Sequence, residues 1–276
     1  MYGRGTCDMK GPLAATLVAV LSVDPSRLKK PISIIATADE ELGLIGASYM
    51  VKDSKKLKEW SPEYGVIAEP TEMMPVYSHK GMGMVHVTAL GRAAHSSTGF
   101  GESANLLIAP FLAEMTQLDE LLQRDHSYMN DEYDPPHHTL NLTLRDESAF
   151  NVTSPETSAI ITVRTMPDSR SEEVLEMIAS RAHSYGFDVD TRYREALVTP
   201  KESELVTAAV ELTGMEPQTV TYGTDGVFLQ EHIDQLVVLG PGDIALAHTD
   251  NEYVPIPQLH EAVDVYTQLI ERLCMG

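Results

Sequence analysis

The residues in this 276-residue chain best placed to do chemistry are carboxylates and imidazoles that follow short apolar runs. Glu40-Glu41 come after Ile32-Ser33-Ile34-Ile35-Ala36, and Glu69 directly after Tyr64-Gly65-Val66-Ile67-Ala68. His248 follows Gln235-Leu236-Val237-Val238-Leu239 by way of Gly240-Pro241-Gly242. Short apolar runs of this kind predict buried strands. In an open parallel sheet, ligands bind just beyond the carboxyl ends of strands, so three strand ends would bring two Glu and one His to one edge. Taken singly, each has an ordinary explanation: a carboxylate pair complementing a helix N-terminus, a turn glutamate, a loop histidine. Together, carboxylate and imidazole donors suit zinc, with cobalt or manganese as substitutes.

The elements that must position these groups fall into three stretches. Segments 10–21 and 43–51 read as helices and 32–36 and 64–68 as strands, an alternation that predicts α/β structure with a parallel sheet. From 76 to 195 the order changes to strand 82–90, helix 104–124, strands 138–144 and 158–165, helix 171–185 and strand 187–193. That is the split βαβ, ferredoxin-like order, able to close as a unit of its own. A helix at 203–212, the strand at 235–239 and a helix at 259–273 return to α/β. The organisation expected is a discontinuous α/β domain, 1–75 with 196–276, holding an inserted βαββαβ domain at 76–195. His137-His138, after Pro135-Pro136, reads as solvent-facing and not as a metal site. Met73, Met74, Met82 and Met84 read as packing residues.

Composition narrows the partners. Lys plus Arg number 20 against 41 Asp plus Glu, a formal charge of −21, which argues against a nucleic acid because that needs clustered cations. The acidic surplus supplies a solvated surface and carboxylates for hard cations. Cys7 and Cys274 lie at opposite ends, which is no disulfide framework and fits a reducing compartment. Met1-Tyr2-Gly3-Arg4-Gly5 leads into no apolar signal core, and no apolar run reaches the ~18 residues of a membrane span. A cytoplasmic protein with no membrane partner is expected.

Four segments then carry a resemblance. Tyr2 to Gly11, Thr37-Ala38-Asp39-Glu40-Glu41, Ala68-Glu69-Pro70-Thr71, and Gly240-Pro241-Gly242 through Ala247-His248 to Asn251-Glu252-Tyr253 resemble, in order, the metal-site segments of one family. It is the zinc metallohydrolase family of acetylornithine deacetylase, succinyl-diaminopimelate desuccinylase, aminoacylases and carboxypeptidases. The resemblance implies that Asp8 bridges two metal ions, Glu40 is general base, Glu41 and His248 complete one site and Glu69 serves the other. It implies that the inserted domain pairs two chains into a homodimer. Gly91-Arg92-Ala93-Ala94-His95-Ser96-Ser97 is similar to the segment whose histidine, His95 here, supports the oxyanion in the neighbouring subunit's site. Asn151 and Arg164 match positions that bind the substrate's carboxylate and carbonyl. Gly223-Thr224-Asp225-Gly226 resembles a substrate-side loop.

The activity implied is metal-dependent hydrolysis of the amide bond of an N-acyl amino acid, closest to acetylornithine deacetylase of arginine biosynthesis. A dipeptidase or carboxypeptidase on the same scaffold is the alternative, and a non-catalytic relative that only binds ligand or dimerises is a third reading. The family's His-x-Asp segment belongs well before Asp8, and the first histidine here is His79, assigned to the inserted domain. The expectation is therefore an N-terminally truncated catalytic domain with one competent metal position. The second would have only Asp8 and Glu69, and little or no deacylase activity is expected.

Overall fold

Apolar residues recur at every second position along 81–89 and every third or fourth along 104–122, and these two rhythms build one of two units. A computed structural model describes residues 1–167 and 170–275. The chain divides into a first unit of Met1–His79 continued from Leu197 onward, and a second of Lys80–Ala196. In chain order the first unit supplies α1 (Gly11–Ser22), α2 (Ile45–Asp53), α3 (Lys55–Trp60), β1 (Tyr64–Ile67) and β2 (Val76–His79). The second supplies β3 (Gly81–Leu90), α4 (Ala104–Arg124), β4 (Thr139–Arg145), β5 (Glu156–Thr165), α5 (Arg170–Ser184) and β6 (Asp188–Arg194). The first unit resumes with β7 (Leu197–Val198), α6 (Glu204–Thr213), β8 (Gln218–Val220), α7 (Gly226–Leu229), β9 (Gln235–Val238) and α8 (Ile256–Cys274).

In the second unit the strands run β4-β5-β3-β6, every pair antiparallel. β3 turns Val85, Val87 and Ala89 inward, and β5 turns Ala159, Ile161 and Val163 inward, the period of two that a one-sided sheet requires. α4 buries Ile108, Phe111, Met115, Leu118 and Leu122 against that face, and α5 buries Val174, Leu175, Ile178 and Ala182. Phe111 meets the ring of Phe187 edge-on at 6.1 Å. His138, expected to face solvent, is fully buried, its Nδ1 accepting the Met166 N–H at 3.3 Å. The proline loop is not loose: Lys80 Nζ donates to the carbonyls of Pro135 (2.9 Å) and His137 (2.7 Å), drawing the strand entry into the core.

In the first unit β9 lies between β1 and β2, with β7 and β8 also pairing β2. β1 and β9 are parallel, but β2 runs antiparallel to β9, so the sheet is mixed where an all-parallel one was expected. His79, assigned by sequence to the insertion, is a buried residue of β2 in this sheet. A second correction concerns 32–36. The segment is extended but joins no ladder among the described residues, and Ile34 and Ile35 are each 39% exposed. An apolar run records a tendency to pair, while a strand also needs a neighbour in register. Here a groove of about 480 Å³, lined by Ile32, Ile34, Tyr64, Val66 and Tyr266, lies along the segment. α1 opens on Gly11-Pro12, proline standing where its missing N–H has no helical partner. α1, α6 and α8 cover the sheet through Ala15, Ala19, Leu205, Ala209, Val265 and Leu269, packed on Val237 and Leu239. Among the described residues no helix is long and apolar enough to cross a membrane.

Candidate metal centre

Asp8 lies in the turn Thr6–Lys10 that leads into α1. Residues ahead of it run beside the segment after His248: Tyr2 bridges Tyr253, Gly3 N–H reaches Glu252 O at 3.0 Å, and Val254 N–H reaches Met1 O at 2.9 Å. The Glu252 carboxylate accepts the backbone N–H groups of Gly5 (2.9 Å), Cys7 (3.0 Å) and Asp8 (3.1 Å). Burial works against that carboxylate, yet the three N–H bonds prevail and hold its pKa below the usual range.

Glu40 and Glu41 occupy a single 3-10 turn, Glu40–Leu42, flanked by left-handed Asp39 and Gly43 and closed by Gly46 N–H on Ala38 O at 3.0 Å. Glu69 follows β1 and is 8% exposed. The parallel ladder places the end of β1 beside that of β9, and Thr71 and Gly240 exchange hydrogen bonds there. Two glycines are obligatory at this crossing. A Cβ on Gly240 would stand 2.5 Å from Glu69 O, and Gly242, at φ 102°, would place one 2.5 Å from Cys7 Sγ. Beyond them, Asp243 caps the short turn Ile244–Leu246, and the chain presents His248 in a left-handed conformation, φ 61°.

His248 Nε2 stands 2.5 Å from Glu41 Oε1 and 3.2 Å from Asp8 Oδ2. One donor atom from each of Asp8, Glu41 and His248 lies within 4.8 Å of the others, and among the described residues no other such group of three His, Cys, Asp or Glu occurs. Asp8 is the sheltered member at 16% side-chain exposure, and Glu41 and His248 are open to solvent. Burial, then the charge of Glu41, raises the Asp8 carboxyl. Burial, then the charges of Asp8 and Glu40, raises the Glu69 carboxyl well above its usual range, and Glu69 and Asp8 are hydrogen-bonded to one another. The hydrogen bond that His248 donates to the Glu41 carboxylate raises the imidazole's pKa. Burial, then the charges of Asp225, Glu41 and Asp8, pushes Glu40 up to about 7. Asp225 accepts Thr37 Oγ1 at 2.5 Å, which ties the glutamate-bearing segment to the start of α7. A set of crowded carboxylates with one imidazole, short of positive charge, fits a divalent cation, whose charge would relieve the repulsion.

The sequence-predicted residues thus divide. The first unit brings together Asp8, Glu41 and His248, with Glu69 bonded to Asp8 and Glu40 adjoining. Within the second unit, His95 is exposed with Nδ1 on Ser97 Oγ at 2.8 Å, and Ser96 N–H on Asn151 O (2.9 Å) sets Asn151 beside it. Arg164 stands exposed on β5 between Met82 and Thr139 in register, away from that loop pair in the ladder. Sequence reasoning assigned no role to Glu252. Its partners are 244 to 247 residues away, so only the Asn251-Glu252-Tyr253 segment hinted at it.

The first unit thus carries a donor set that could hold a divalent cation. The sequence profile of Peptidase family M20/M25/M40 matches residues 1–272, and the chain belongs to that family. It is 29% identical to an acetylornithine deacetylase of Myxococcus xanthus, a match spanning 100% of this chain and 73% of the relative. A Salmonella typhimurium acetylornithine deacetylase is 30% identical over 99% of this chain and 72% of its own. Among solved structures, a metallo-carboxypeptidase of Sulfolobus solfataricus superposes with a TM-score of 0.73 at 17% identity, covering 98% of this chain and 77% of that one. An aminopeptidase of Bacillus cereus gives 0.71 at 19% identity, covering 96% and 70%, a likeness of fold.

Proposed function

We propose that this chain is an acetylornithine deacetylase-like amidohydrolase that cleaves the amide bond of an N-acyl amino acid. The carrying observation is the meeting of Asp8, Glu41 and His248 within 4.8 Å. Three protein ligands including an imidazole suit zinc, with cobalt or manganese as substitutes; Glu69, bonded to Asp8, is the carboxylate left for a second ion. When bound, the cation supplies positive charge that polarises the amide carbonyl and makes water more acidic.

The chain's own groups do the rest. Glu40, half-buried beside ligand Glu41, takes a proton from the attacking water as the C–O bond forms, then returns it to the amine nitrogen as the C–N bond breaks. His95 of a neighbouring subunit donates to the developing oxyanion. Asn151 and Arg164 hold the substrate's carboxylate and carbonyl, Arg164 by its planar pair of donors. The second unit pairs two chains, which is what brings His95 to a site not its own.

Dipeptide or carboxypeptide hydrolysis on the same scaffold is the alternative. The relatives at 29 and 30% identity carry the deacetylase name and favour the first reading. The test is release of ornithine from N-acetylornithine by the zinc-loaded protein, run beside a panel of dipeptides. Faster cleavage of a dipeptide would transfer the assignment to a peptidase. Tight zinc binding with no turnover of any amide would leave a binding protein.

A further inference from the structure

We propose that Glu252 is the positioning residue of the cation site, its one carboxylate clamping the Asp8 turn to the His248 loop so that both ligands are held ready before any ion arrives. The inference rests on the metal-site reading above and adds a residue that touches neither substrate nor ion. Glu252 is 3% exposed, and its two oxygens accept three backbone N–H groups from one short stretch: Gly5 on one oxygen, Cys7 and Asp8 on the other. Those N–H groups lie in an irregular turn with non-helical residues at Asp8 and Met9, so no ladder satisfies them. Arg4, at 3.7 Å and largely exposed, adds little.

The geometry makes Glu252 a shared joint. Four residues upstream stands His248; bonded to its carboxylate is the backbone of Asp8. Between them, Gly3 N–H on Glu252 O and the Tyr2–Tyr253 bridge extend the same seam. Removing the carboxylate frees the Asp8 backbone to drift relative to His248, while the sheet and helices that carry both loops remain. Groups that orient ligands from behind are worth about 10- to 100-fold in metal affinity.

The experiment compares wild type, Glu252→Gln, Glu252→Ala and Arg4→Ala in three readouts. These are zinc affinity by competition with a chelator, the visible spectrum of the cobalt-loaded protein, and hydrogen exchange of metal-free protein at residues 5, 7 and 8. Expected are slow exchange at those three amides in wild type, and about 10-fold or faster exchange with about 10- to 100-fold weaker zinc binding in the folded Glu252 variants. The cobalt bands should shift in Glu252→Gln, and Arg4→Ala should behave as wild type within about 2-fold. Wild-type zinc affinity and an unchanged cobalt spectrum in Glu252→Gln would overturn the inference and leave the site assignment standing. Fast exchange at 5, 7 and 8 in wild type overturns it without any variant, should the substitutions fail to fold. Failure of wild type to bind zinc or cobalt would instead remove the metal-site reading itself.

Discussion

At the scale of single residues, the candidate site sets two neighbouring glutamates to different work. Glu41 meets His248 at 2.5 Å, while Glu40, next in the chain, is raised to about 7 by burial and by surrounding acids. On the function proposed above, Glu41 ligates the cation and Glu40 moves the proton. Glu40→Gln keeps the shape and removes the base, so in a version that carries the family's His-x-Asp segment kcat should fall at least ~10²-fold with zinc content retained. Near-normal turnover in that variant would take Glu40 out of the role. The motifs made Glu40, Glu41, Glu69 and His248 visible because each follows a recognisable apolar run. Asp8 was visible only by resemblance, since nothing in its own surroundings announces a ligand.

At the scale of elements, the second unit depends on apolar stripes whose cost of disruption is readable. Phe111 is fully buried on α4 among Ile108, Met115 and Phe187, and truncating it leaves a cavity that the close-packed sheet face cannot fill. Phe111→Ala should cost about 3–5 kcal/mol in chemical unfolding followed by circular dichroism. A loss under about 1 kcal/mol would mean that α4 is not seated as described. A polar joint beside α4 makes a different prediction. Asp146, just past β4, accepts Asn105 Nδ2 at 2.6 Å from the first turn of α4, Ser148 N–H at 2.9 Å and Ser154 Oγ at 3.1 Å. These bonds, Asn105 foremost, hold its pKa down to about 2, below the roughly 3.9 of an unfolded chain. Its contribution to stability is therefore present above about pH 4 and lost as pH falls through about 2. The stability gap between wild type and Asp146→Asn should be constant above pH 4 and close toward pH 2. A gap that is unchanged across that range would exclude the carboxylate as its source.

At the scale of the whole molecule, the donor set bears on metal stoichiometry and the sheet edges on assembly. One group of three donors occurs among the described residues, so dialysed protein should retain near one zinc per chain. Two tightly held ions would show that Glu69 ligates beside Asp8. Among the described residues the four-stranded sheet ends in the edges β4 and β6, and Leu144 on β4 is 50% exposed. Bare edges invite pairing, and a two-fold dimer is the default closed symmetry. Sedimentation should find a dimer at micromolar concentration. A monomer would count against a partner's His95 at the site.

The strand and helix rhythms of 81–89 and 104–122 were legible because alternation and 3.6-residue spacing are local consequences of one buried face. So were the helix that Pro12 opens and the glutamate behind β1. Other features needed the tertiary structure. The β1–β9 ladder joins residues more than 160 positions apart, and the antiparallel entry of β2 turns an expected parallel sheet into a mixed one. Residues 32–36 have the apolarity of a strand but, among the described residues, no neighbour in register, since pairing depends on the partner as much as on the run itself. His138 entered the core because Lys80 fastened the loop before it. Glu252 lies deepest in this class. A carboxylate's type records only that it can accept hydrogen bonds, and which N–H groups reach it is decided when chain segments some 245 residues apart come to share one seam.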